Sequence, residues 1–136
     1  MPNRLAGFLA FVLLLLAGCS TAPPARGRAS AIPMNRISAP DMLQPASGRN
    51  IPVTITRDGG FMGGTMGCRV QIDGREIARF AVAETLTIYL APGEHKIRLW
   101  NDLFGEYKST ETITAGTPQN FRIWVVGQDG FRIVRS

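Results

Sequence analysis

Few residues of this chain could carry out acid-base or nucleophilic chemistry. His95 is the only histidine, which excludes a multi-histidine zinc site. Cys68 with His95 is the one thiol dyad available, and no local sequence supplies the orienting group and oxyanion site that such a nucleophile needs. Carboxylates such as Asp73, Glu76 and Glu84 stand at turns and strand ends, where solvated positions are usual. We predict no catalytic residues, no metal and no cofactor, with a Cys68–His95 enzyme as an alternative.

A glycine-rich segment, residues 59–67, surrounds Phe61, Met62 and Met66. It has neither the Gly-Lys-Ser/Thr ending nor the following helix of a phosphate-binding P-loop. As a hairpin connection it would place Phe61 and Met66 under the sheet. As a functional surface, its flexible backbone and soft methionines would offer an adaptable contact for a partner or a lipid. Phe61, Met62 and Met66 are therefore the residues of a candidate partner-binding loop.

A second candidate surface is aromatic. Trp100, Phe104 and Tyr107 lie close together in the sequence, around the loop that follows a predicted strand. Aromatic side chains in such a cluster form protein interfaces or stack on sugars, and they also build cores. The sequence leaves both uses open.

The elements that position these residues are predicted to be strands. Alternation of apolar and polar residues predicts strands at residues 51–57, 69–72, 75–80, 85–90, 94–100, 109–114, 119–126 and 131–134. Asp73-Gly74 fits a type I′ hairpin turn, and Pro92-Gly93 marks another turn. The spacing predicts an all-β fold, a small antiparallel β-sandwich of seven or eight short strands.

The charge of the chain is unevenly distributed. There are 15 Lys and Arg against 10 Asp and Glu, but residues 51–136 hold 10 of the basic and 9 of the acidic residues. The domain is therefore nearly neutral, which argues against a nucleic-acid partner. The arginines of residues 19–50 are read as solvated linker charges or as contacts to anionic lipid headgroups.

The N-terminus has the parts of a secretory signal. Arg4 is followed by an apolar run over residues 5–18, which is shorter than the roughly 20 residues of a membrane-spanning helix. The run ends in Leu16-Ala17-Gly18-Cys19, which resembles the bacterial lipobox at all four positions. An ordinary secretory signal with an incidental Cys19, or a short uncleaved anchor, are the alternatives.

The lipobox resemblance implies a lipid modification and a cellular location. It implies a diacylglycerol thioether on Cys19, cleavage after Gly18 and usually a third acyl chain, and two or more chains anchor a protein stably. Ser20 is not the aspartate that retains such lipoproteins on the inner membrane, so the resemblance implies an outer-membrane anchor facing the periplasm. Lipidation would leave Cys68 without a disulfide partner, and we expect it to be a buried free thiol rather than one that pairs between molecules.

Three segments follow from these patterns. Residues 1–18 are the signal peptide, residues 19–50 a lipidated cysteine with a flexible tether, and residues 51–136 the β-sandwich domain. The tether contains five prolines and shows no hydrophobic periodicity. A flexible chain of this length spans about 30 Å on average, which would hold the domain clear of the bilayer.

The domain also resembles a recurring bacterial envelope module. Residues 70–78 give strand, Asp-Gly turn and strand, and Pro92-Gly93-Glu94-His95 opens another strand. With the lipobox and the glycine-rich loop, this pattern resembles PEGA-type domains and small lipoproteins that carry them. The resemblance covers roughly residues 53–100 and implies a β-sandwich more than any activity.

These expectations favour a non-catalytic lipid-anchored envelope protein. Its partners would be the membrane, through Cys19, and an envelope protein, glycan or lipid. A defensive inhibitor, acting on lysozyme or on phage, is the second hypothesis, although no signature of a lysozyme inhibitor is present. The Cys68–His95 enzyme is the third.

Overall fold

Two β-sheets packed face to face make up the fold. The computed structural model describes residues 22–25, 28–60, 66–103, 105–125 and 130–136. The described residues form nine strands and no α-helix: β1 Ser30–Ala31, β2 Ile51–Arg57, β3 Cys68–Ile72, β4 Arg75–Phe80, β5 Glu84–Leu90, β6 Gly93–Asn101, β7 Gly105–Ile113, β8 Gln119–Val125 and β9 Phe131–Arg135. The predicted all-β sandwich is confirmed, with one strand more than expected.

One sheet has five strands in the order β1-β5-β2-β8-β9, and the other has four in the order β4-β3-β6-β7. The pairs β1–β5 and β2–β8 are parallel and the remaining pairs are antiparallel. The five-stranded sheet is therefore mixed rather than purely antiparallel. After β2 the chain builds the second sheet and β5, and it then returns beside β2 in the same direction.

The core lies between the inner faces of the two sheets. Along β2, buried and half-buried residues alternate strictly, as the period of two requires. Most of the core is aliphatic or aromatic, including Val53, Ile55, Phe80, Ile88, Leu99, Phe121, Ile123 and Phe131. Burial of each such side chain stabilises the fold by about 1.5–3 kcal/mol.

The hairpins match their sequence signals, with one extension. Asp73 and Gly74 have φ values of 50° and 82°, the positive values that a type I′ turn needs at both positions. β7 begins at Gly105 rather than near residue 109, because it pairs with β6 from Asn101↔Gly105 to Gly93↔Ile113. Pairing with β6 extends a strand whose own sequence is largely polar.

The tether prediction is wrong for residues 28–50, which we call the belt. Ile32, Ala39 and Met42 of the belt are buried in the core. The belt also contains β1 and two short 3₁₀ turns, Met34–Arg36 and Pro40–Leu43. Its buried side chains have no regular spacing because the belt follows the surface of the sandwich rather than one helix or strand, so periodicity could not reveal it.

The belt is fixed to both sheets. Ser30 and Ala31 pair with β5, and Ile37 forms a bridge with Ala78 of β4. Two ion pairs add to this attachment: Arg36 with Glu84, and Arg75 with Asp41. The Arg75 hydrogen bond holds the pKa of Asp41 at about 2. The folded domain therefore includes the belt.

The two ends of the sandwich differ in chemistry. At one end of the sandwich β2, β4, β6 and β8 finish, and β3, β5, β7 and β9 begin. We call this the Gly59 end, because Gly59 lies just after β2. Here Arg57 is buried, donates to the carbonyl oxygens of Met66 (2.5 Å) and Phe80 (2.8 Å), and lies over the ring of Phe131. Burial lowers the pKa of Arg57. Polar groups are thus part of the core at this end.

Candidate functional site

The outer side of the four-stranded sheet carries most of the exposed cations of the domain. Alternation along β3, β4, β6 and β7 directs one set of side chains away from the core. We call this surface the basic face, defined by Arg69, Arg79, Lys96, Arg98, Trp100 and Lys108. Strand register places these residues side by side, since Arg69 is opposite both Arg79 and Trp100, and Arg98 is opposite Lys108.

A shallow depression occupies the middle of the basic face. Its volume is about 610 Å³, and its lining combines cations with amide and hydroxyl groups: Gln71, Gly74, Lys96, Ile97, Arg98, Lys108, Ser109 and Thr110. None of these lining residues is acidic. The size lies in the range of small-molecule and oligomer sites, and the lining favours an anionic ligand with hydroxyl groups.

Glu106 is the carboxylate that pairs with two cations of the depression. Glu106 accepts ion-pair contacts from Lys108 Nζ at 2.7 Å and from Arg98 Nε at 2.9 Å. Hydrogen bonds from Lys108 and then Arg98 lower the pKa of Glu106, so it is ionised at neutral pH. None of the ion pairs between described residues includes Lys96. The lining itself therefore holds three cations and no acid.

Trp100 lies between two guanidinium groups. The Cζ atom of Arg98 is 4.5 Å from the centre of its ring, and that of Arg69 is 5.9 Å away. Each contact is a cation–π interaction that restrains an otherwise flexible side chain. A guanidinium stacked in this way keeps N–H groups at its edge, where they can donate to a carboxylate or phosphate.

Arg69 and Arg79 form a like-charge pair across β3 and β4. Like charges directly opposite each other destabilise a sheet, and no ion pair between described residues neutralises either one. The Arg79 side chain lies against Gly67, where an added Cβ would collide with its Nε atom. Packing thus holds Arg79 beside Arg69 despite the repulsion.

The structure separates the two residues of the alternative catalytic dyad. Cys68 begins β3 next to Arg69, which pairs with Trp100; five positions along β6 separate Trp100 from His95, or about 16 Å. Burial raises the pKa of Cys68 to about 12, so it is a thiol at neutral pH. Cys68 and His95 are therefore too far apart to form a dyad, and the expectation of a buried free thiol is confirmed.

His95 has a structural position at the other end of the sandwich. Its Nδ1 atom lies 2.6 Å from an Asp73 carboxylate oxygen, and its Nε2 atom lies 2.8 Å from the carbonyl oxygen of Ala91. Asp73 also accepts a hydrogen bond from the Lys96 backbone N–H. His95 thus connects the Asp-Gly and Pro-Gly turns.

The two candidate surfaces drawn from the sequence are only partly described. Phe61 and Met62 of the loop, Phe104 of the aromatic patch and Cys19 all lie outside the described residues. Met66 is half-buried at the Gly59 end. Trp100 belongs to the basic face, but Tyr107 packs on the core and lies under Arg132. Trp100 and Tyr107 therefore point to opposite sides of the sheet and do not share one surface.

Sequence reasoning missed the basic face as a unit. The alternation in the strand at 94–100 already placed Lys96, Arg98 and Trp100 together. Arg69 and Lys108 join them only through the register of β3 and β7 against β6. The usable signal was the pair of cations, Lys96 and Arg98, at successive outward positions of one strand.

Three further observations bear on the type of site. Among the described residues, no group of three or more His, Cys, Asp or Glu could hold a metal ion, and no helix is long and apolar enough to cross a membrane. Comparisons with protein-family models, curated proteins and solved structures give no match. The PEGA-like resemblance stays a prediction.

Proposed function

We propose that this chain is an exported, non-catalytic envelope lipoprotein. In this proposal Cys19 carries the lipid anchor, the destination is the periplasmic side of the outer membrane, and the basic face binds an anionic glycan of the envelope. The lipobox sequence supports the anchor. The observation that carries the binding function is the depression of about 610 Å³ with three cations and no acid in its lining.

The geometry favours a glycan with carboxylate or phosphate groups over a neutral one. Lys96, Arg98 and Lys108 provide charge, while Gln71 and Thr110 provide amide and hydroxyl groups for sugar hydroxyls. The depression is open, which suits a polymer that continues beyond it. Water-exposed charge pairs contribute modestly one at a time, so several contacts along a chain would be needed for affinity.

The anchor is tested by expressing the full chain with its own leader and measuring the intact mass of the mature protein. We expect cleavage after Gly18, acyl chains on Cys19 and recovery in the outer-membrane fraction. A Cys19→Ser variant should lack the acyl mass. An unmodified Cys19 in the processed wild-type protein would overturn the anchor.

Glycan binding is tested with the lipidated protein in a neutral detergent. The probe is fluorescein-labelled dextran sulfate, with neutral dextran of the same length as reference, and the readout is fluorescence anisotropy. We expect binding of the sulfated polymer alone, weakened by salt and by Lys96→Gln with Lys108→Gln. Arg28→Gln with Arg49→Gln removes the same charge from the belt and should leave binding unchanged; an equal loss would overturn the assignment to the basic face.

A further inference from the structure

The Gly59 end of the sandwich lies close to the position of the proposed lipid anchor. Ala22 and Gly59 exchange two backbone hydrogen bonds, of 3.2 and 2.9 Å. Ala22 is three positions after Cys19 in the sequence, and an extended chain of three steps covers at most about 11 Å. A lipid on Cys19 would therefore keep this end of the domain at the membrane surface rather than 30 Å from it.

The same end presents an apolar side chain among polar ones. A depression of about 280 Å³ opens there, lined by Met66, Gly67, Arg79, Asn101, Asp102 and Leu103. Leu103 is 68 % exposed, the highest value among the large hydrophobic residues described. An exposed aliphatic tip surrounded by polar and cationic groups is the composition of a surface that contacts the headgroup region of a bilayer.

Arg69 and Arg79 at this end form no ion pair with another described residue. The buried acids here are already matched, because Asp58 binds Arg122 in a bidentate pair and Glu84 binds Arg36. Arg79 lines the depression together with Leu103, and Arg69 lies beside it across the strands. Asp102 is the one acid in that lining, and no ion pair between described residues joins it to Arg79.

We propose that the Gly59 end docks on anionic phospholipid headgroups. Leu103 enters the interface, and Arg69 and Arg79 contact lipid phosphates. This proposal rests on the proposed lipidation of Cys19, which supplies the proximity. The like-charge arginine pair then has a counter-charge in the membrane that it lacks within the described protein.

Photo-crosslinking in lipid vesicles tests the docking. The full chain is produced with its leader, carries benzoylphenylalanine at position 103, and is placed in vesicles of phosphatidylglycerol and phosphatidylethanolamine. A second protein carries it at position 117, at the opposite end of the sandwich. We expect phospholipid adducts at position 103 to exceed those at 117 by about fivefold or more. Equal capture at both positions would overturn the docking.

Intact mass separates this proposal from the one on which it rests. Acylated Cys19 with equal capture at 103 and 117 overturns the docking and leaves the anchor standing. A processed protein without acyl chains overturns both. Circular dichroism of the two labelled proteins checks that each is folded.

Matched charge variants test the arginine pair. Arg69→Gln with Arg79→Gln should lower capture at position 103 by about fivefold in anionic vesicles, and should have no effect in phosphatidylcholine vesicles. Lys96→Gln with Lys108→Gln removes the same charge from the middle of the basic face and should leave capture unchanged. Equal losses in the two variants would show general attraction to the membrane and overturn the role of the pair.

Discussion

The two sheets present different outer faces to solvent. On the five-stranded sheet, threonines bond across strands, with oxygen–oxygen distances of 2.8 Å for Thr54–Thr87 and 2.9 Å for Thr56–Thr85. Arg122 beside them is held by Asp58. These threonine hydroxyls and Arg122 thus find their partners within the protein.

The basic face of the four-stranded sheet is arranged in the opposite way. Arg69 faces Arg79, and Trp100 is stacked between Arg69 and Arg98. Both faces follow the same alternation and cover the same core, so the fold itself does not require these cations. The difference supports the proposed binding role of the basic face.

The largest expected effect on stability concerns the inner faces of the two sheets. Cys68 lies under the basic face, and Arg57 lies under the outer face of the five-stranded sheet, which we call the threonine face. The pKa of Cys68 is raised from 9.0 to about 12, so the unfolded chain releases this proton first as pH rises. Stability should therefore fall by about 1.4 kcal/mol per pH unit between about pH 9 and 12, relative to Cys68→Ala. Urea unfolding of both proteins measures it, and parallel curves would contradict it.

The second-largest effect on stability is expected from removal of the Arg122–Asp58 ion pair at the threonine face. Arg122→Gln takes away the bidentate partner of Asp58, a carboxylate whose side chain is 1 % exposed. We expect a loss of about 2 kcal/mol, below the usual 3–5 because Arg122 is partly in solvent. Arg69→Gln on the basic face is the matched control and should cost less than about 0.5 kcal/mol. Equal losses by urea unfolding would remove the contrast between the faces.

An acid placed in the arginine pair should separate stability from binding. Arg69→Glu replaces a like-charge contact with Arg79 by an opposite-charge one, and we expect stabilisation of about 0.5–1 kcal/mol. The same change should weaken binding of dextran sulfate by about fivefold or more. Thermal unfolding and anisotropy measure the two effects. Loss of stability would show that Arg69 serves the fold.

The smallest effect is expected within the threonine face. Thr87→Val removes the hydroxyl that bonds Thr54 and keeps a β-branched side chain, so the loss should be at most about 0.5 kcal/mol. Binding of dextran sulfate should not change. A variant that binds less polymer would place part of the glycan site on the five-stranded sheet.

Strand positions could be predicted from the sequence because they depend on local alternation and turn chemistry. The Asp73-Gly74 hairpin and the buried Cys68 both followed from neighbouring residues. Two long-range features did not: the parallel β2–β8 pair and the packing of Met42 and the rest of the belt in the core. Neither leaves a periodic signal, since each depends on residues far apart in the chain.

The candidate site shows the same limit. Lys96, Arg98 and Trp100 could be assigned to one face from a single strand. Arg69 reached that face only through strand register, and the bridge between Ala22 and Gly59 forms only through tertiary packing. The proline content of the belt suggested a flexible segment. This prediction failed because composition does not show that Ile32 and Met42 pack into a core.

The belt also has a consequence for how the chain avoids aggregation. It lies along an outer strand of each sheet, pairing with β5 through β1 and with β4 at Ala78. An uncovered strand edge is a template for pairing with another molecule. During synthesis the belt is made before β4 and β5. The edges of these two strands stay open until each strand packs against the belt. Protection of both strand edges thus depends on the belt. Belt variants that dock slowly should aggregate through these open edges while the rest of the domain is already folded.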